Sequence, residues 1–100
     1  LGLFAGVVMF IDIPSYSFEE ETETFDLDKV NIIGFNTNHI TEVAVVKDSR
    51  FKNVWVLVFK ILGEEEKKAL AFPNEEEPIK IKTEIYAAEN RYIKDFREVL

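Results

Sequence analysis

The chain has no cysteine, so it carries no disulfide framework, no thiolate metal site and no thiol nucleophile. That absence is compatible with a cytoplasmic setting, which is the expected location. Glutamine is also absent, methionine occurs once, and glutamate and lysine dominate the charged residues, a composition that leans towards a thermophilic source. There is one histidine, His39, and its neighbours "NTNH" read as a solvated turn. Ser15, Ser17 and Ser49 have no spacing that ties them to it, so a nucleophile triad has no support. The four glycines are scattered at positions 2, 6, 34 and 63, which leaves no glycine-rich phosphate loop. Basic residues are outnumbered 12 to 19, and the net charge of −7 repels phosphate, which argues against a stand-alone nucleic-acid binder.

Apolar residues, by contrast, make up 47% of the 100 positions and include nine phenylalanines, so the composition is that of a folded domain, not a disordered chain. Residues 1–11, "LGLFAGVVMFI", carry no charge. Crossing a bilayer as a helix needs about 20 such residues, and no basic residue precedes the run, so neither a membrane span nor a signal peptide is predicted. A buried strand over 3–13 is expected instead. The alternative for this run is the stump of a membrane anchor on an extracytoplasmic domain. Leu1 in place of an initiator Met, and Leu100 inside an apolar helical pattern, suggest a single domain cut from a longer protein.

Along the chain, "SYSFEEETETFDLD" (15–28) is acidic and reads as a connecting loop with a solvated glutamate cluster. Residues 29–48 read as two short strands paired as a hairpin around "NTNH". Residues 53–72 repeat the plan more strongly: a nearly all-apolar arm from Val54 to Leu62, a turn at Gly63 and the glutamates, and a shorter return through Ala69 to Phe72. The first arm has β-branched and aromatic residues on both parities, which places it centrally in the sheet, with Trp55 in the core. Residues 72–78 read as a loop. "IKIKTEIY" (79–86) alternates Ile79, Ile81, Thr83 and Ile85 with Lys80, Lys82 and Glu84, the pattern of a half-wet strand near an edge. From Ala87 the spacing of Tyr92, Ile93, Phe96, Val99 and Leu100 predicts a helix. The expected fold is α+β: a mixed, largely antiparallel sheet of five or six strands with one C-terminal helix packed on it.

The remaining chemical candidate is Asp12 in "FIDIPS". A carboxylate ending a buried strand either terminates the strand or projects into a cleft where it helps to hold a divalent ion. Two-metal chemistry needs several acids close together, and strand geometry puts the next same-side position at 14. That position is Pro14, which supplies no ligand and no N–H.

The order "FIDI", then "VWVLVFKILGEEEKKALAFPN", then "EEEPIKIKTEIYAAENRYIKDFREVL" resembles the start of the 3′–5′ exonuclease domain of family B DNA polymerases, over roughly residues 8–14 and 53–100. The resemblance implies an incomplete ribonuclease H-like fold, with Asp12 matching the first metal-binding acid and Mg²⁺ or Mn²⁺ as cofactor. Pro14 stands where the family's second acid belongs, and residues 29–48 add a hairpin. The implied product is therefore a catalytically inactive segment that meets DNA only through the full-length protein. The competing expectation is a non-catalytic α+β interaction module. Its partner would be the remainder of a longer chain or a homo-oligomer, because the apolar face of the last helix requires cover.

Overall fold

The computed structural model describes residues 10–88. Five strands and one α-helix follow in order: β1 (Phe10–Glu19), β2 (Thr24–Asn36), β3 (Ile40–Lys47), β4 (Trp55–Ile61), β5 (Lys68–Phe72) and α1 (Glu76–Ala88). A 3-10 turn, Thr37–His39, links β2 to β3. The α+β class is as expected, but the strands do not form one sheet. β1 and β2 make a two-stranded antiparallel sheet, and β3, β4 and β5 make a three-stranded antiparallel meander with β4 in the centre.

The meander is the hairpin plan read from residues 53–72, with β3 added at its edge. Its register sets two faces. Val43, Val45, Leu57, Phe59, Leu70 and Phe72 point one way; Ala44, Val46, Val56, Val58, Ala69 and Ala71 point the other. The first face is the core face: Leu57, Phe59 and Phe72 are fully buried there. Gly63, at φ +88°, takes the left-handed conformation that the β4–β5 turn requires.

Two elements cover that one face. Ile81 and Ile85 of α1, and Ile11 and Ile13 of β1, share a single core cluster with Val43, Leu57, Phe59, Ile61 and Phe72. The Phe35 ring of β2 meets Phe59 edge-on with centroids 4.9 Å apart, and Tyr16 of β1 meets Phe72 at 5.8 Å. The hairpin therefore lies over the β4–β5 side while α1 lies against β3 and β4.

Three expectations about individual segments need correction. The acidic stretch 15–28 is not a loop: it forms the second half of β1, a tight turn and the start of β2. Tyr16 and Phe18 alternate with Ser15, Ser17 and Glu19, and their rings pack on Phe25 at 6.2 and 4.7 Å, so a strand lay under the acidic composition. Residues 29–48 do contain two strands around the "NTNH" turn, but β2 pairs with β1 and β3 with β4, so they are not a hairpin. The 3-10 turn, capped by Asn36 Oδ1 accepting from Asn38 N at 2.9 Å, carries the chain from one sheet to the other.

The third correction is the largest. Residues 79–86 are helical, not extended. Their isoleucines alternate in sequence, yet Pro78, Ile81 and Ile85 also fall at i, i+3 and i+7, and these three are buried while Ile79 is 45% exposed. Asn74 caps the start, its Oδ1 accepting from Glu77 N at 2.8 Å, and Glu76 and Glu77 sit at the positive end of the helix dipole. Pro78 falls in the first turn, where an N–H has no partner to lose. The helix expected over Tyr92 to Leu100 lies outside the described residues; Ala87 and Ala88 close α1. The strand expected over 3–13 is likewise described only from Phe10, where it is β1. Among the described residues, no helix is long and apolar enough to cross a membrane.

Phe59 is the residue on which hairpin and meander meet, so Phe59→Ala should cost about 3–5 kcal/mol in urea unfolding. Val46→Ala, on the opposite face and 46% exposed, should cost under about 1 kcal/mol. Equal losses at the two sites would contradict the one-sided core.

Candidate functional site

Asp12 lies on β1 opposite Gly34, and its side chain is exposed. A methyl group at Gly34 would stand 3.4 Å from Asp12 Oδ1, so the glycine leaves room for the carboxylate. The aspartate does not end its strand. β1 runs on through Pro14, which pairs with Ile32, to Glu19. Among the described residues, no group of three or more histidine, aspartate or glutamate side chains stands close enough to hold a metal ion. Among the described residues the paired strand puts Gly34, not a second acid, opposite Asp12, which offers one exposed carboxylate.

A polar cleft opens beside the hairpin. Its volume is about 590 Å³, and Ser15, Ser17, Asp28, Lys29 and Asn31 line it together with Tyr16 and Val30. The register explains it. Tyr16 pairs with Val30, but Ser17 pairs with Asp26, so residues 27–29 bulge out of the ladder. Asp26 Oδ1 accepts from Asp28 N at 3.1 Å, and Lys29 Nζ lies 3.9 Å from Asp26 Oδ2, which closes the bulge on itself. The cleft holds hydroxyls and one charge of each sign, and no histidine is among its lining residues.

The strongest polar contact joins the two layers. Tyr16 Oη donates to the Glu77 carboxylate, 2.7 Å from Oε1 and 3.0 Å from Oε2. It ties β1 to the first turn of α1. The hydrogen bond to Glu77, with burial and the nearby negative charge adding to it, raises the Tyr16 pKa above its ordinary value. Sequence reasoning missed this pair because 61 positions separate its members and both lay in segments read as loops.

The other sequence candidates are placed as follows. His39 is exposed at the end of the 3-10 turn, where its carbonyl accepts from Leu62 N at 2.6 Å. Trp55 is half-buried at the start of β4, with Lys47 Nζ 5.2 Å from its ring centre. Asp48, in the β3–β4 loop, accepts from Arg50 through side chain and backbone, which holds its carboxyl below the usual aspartate range. No two of Asp12, His39 and Trp55 are brought together.

Comparison with known proteins returns no matching family model, no matching curated protein and no matching solved structure. The arrangement has to be read from its own geometry.

Two outcomes follow from it. A lone exposed carboxylate gives no chelate, so melting curves with and without Mn²⁺ should coincide for the natural chain and for Asp12→Asn; a metal-dependent rise lost in the variant would restore the nuclease reading. Tyr16→Phe should cost about 1 kcal/mol at neutral pH. Because folding raises the Tyr16 pKa, its stabilisation is full below the unfolded tyrosine value of about 10 and is lost as pH rises through the folded value. Urea unfolding followed from pH 7 upwards should show that alkaline loss in the natural chain and much less of it in Tyr16→Phe.

Proposed function

We propose that this domain works by association and not by catalysis, as a non-catalytic α+β interaction module. The observation that supports the reading is the second face of the meander. An antiparallel sheet with one solvated face alternates apolar and polar residues along its strands. Here the row Val46, Val56 and Ala71 and the row Ala44, Val58 and Ala69 are apolar throughout. None of the six is buried and none belongs to the core cluster. Glu42, paired with Lys60 and 3.5 Å from Lys67 Nζ, forms a charged border at one end. An apolar centre with a charged rim is the composition of a contact surface.

Residues apolar on both parities carry a thermodynamic cost when one face stays wet, and a partner that covers the face removes it. The remainder of a longer chain and a second copy of this one both meet the requirement. At an ionic strength that screens the net charge of −7, the isolated chain is expected to associate as its concentration rises, as followed by light scattering. Val56→Lys, which charges the centre of the face, should stay monomeric and melt within about 4 °C of the natural chain. A natural chain that remains monomeric throughout, or a Val56→Lys variant that fails to fold, would count against the face as a contact surface.

A further inference from the structure

A second surface lies on the hairpin, away from the meander's apolar face. β2 is a 13-residue strand that pairs only with β1, so its outer edge has no hydrogen-bonded neighbour among the described residues. Proteins blunt such edges with charge, proline or bulges. β2 does so over only part of its length. Residues 26–29 carry Asp26, Asp28, Lys29 and the bulge, whereas residues 30–36, "VNIIGFN", carry no charge, no proline and a regular ladder. Ile32 is 62% exposed on that stretch and Ile33 38%. An unblunted run of this kind is a template for one more strand.

We propose that residues 30–36 accept an extended segment of a partner protein as an added strand, and that this segment is apolar where it pairs and basic at the end nearest the hairpin turn. The charges around the turn support the second half of the statement. Glu19, Glu20, Glu21, Glu23, Asp26 and Asp28 cluster at that end of the sheet. Two cations near them are already engaged, Lys29 with Asp26 at 3.9 Å and Arg50 with Asp48 at 3.3 Å and Glu20 at 4.0 Å. A basic segment meets complementary potential there. A second copy of this chain, paired antiparallel about Ile33, would instead set the turn Thr37–His39, which holds no lysine or arginine, beside the acids and bring its own charge of −7. A nucleic acid would be repelled by the same six carboxylates.

The test uses the intact chain and synthetic peptides of about eight residues, alternating valine and threonine and ending in either lysines or glutamates. The lysine-ended peptide should bind about tenfold or more tightly than the glutamate-ended one, with the advantage shrinking as salt is raised. It should also slow amide exchange over residues 30–36. N-methylation within its valine–threonine stretch removes a backbone donor and should weaken binding about tenfold, which separates strand addition from simple charge attraction. Equal binding of the two peptides, indifference to N-methylation, or protection elsewhere in the chain would each overturn the proposal. So would protection of residues 30–36 in the absence of peptide that grows with chain concentration, since a second copy would then hold the edge. The Val56→Lys experiment reads the other surface, so either idea can fail without the other.

Discussion

Everything described here leans on one face of the central strand. Leu57, Phe59 and Ile61 point to the same side of β4, and the hairpin and the helix both bury their apolar residues against that side. Neither of these covering elements has another place to go: a two-stranded hairpin and a single helix are each marginal in water without a surface to pack on. Buried apolar area on this face thus sets the position of β1 and β2 as well as α1. It also decides which surfaces are left over.

Tyr16 and Glu77 fasten the two covering elements to each other. The phenol reaches the carboxylate where the helix begins, so one hydrogen bond fixes the hairpin relative to the helix axis. A charged acceptor makes it stronger than a neutral pair, although partial exposure reduces its worth. Arg50 also reaches Glu20 and Lys67 reaches Glu42 across the chain, while several polar pairs are local: Asp48 with Arg50, Asp26 with Asp28 and Lys29, Asn74 with Glu77. These contacts shape turns, a bulge and a helix cap.

The leftover surfaces are of two kinds. The outer face of the meander is small and apolar, with Val and Ala side chains that let another surface approach closely. The outer edge of β2 is a run of backbone donors and acceptors beside an acidic turn. The first favours contact by burial, the second by hydrogen bonding and charge. Both are consequences of the same one-sided packing, since the described elements that cover the core face leave the opposite face and the far edge without a described neighbour.

Composition, the turns at "NTNH" and Gly63 and the two-strand plan of residues 53–72 were readable from the sequence by itself, because β-branched and aromatic residues on both parities of β4 suit a central strand. The alternation of Tyr16 and Phe18 was present too, but the surrounding glutamates hid it. Residues 79–86 show where local pattern ends: Ile79, Ile81 and Ile85 satisfy a period of two, while Pro78, Ile81 and Ile85 satisfy a helical one. Only the core face, by burying Ile81 and Ile85 and leaving Ile79 wet, selects the helix. The partners of β2 and β3 were beyond the sequence, since the 3-10 turn after Asn36 sends β3 to β4 and not back to β2. The pairing of Tyr16 with Glu77 was set the same way. Local periodicity names elements, but which residues meet across the chain is decided by the surface on which those elements are buried.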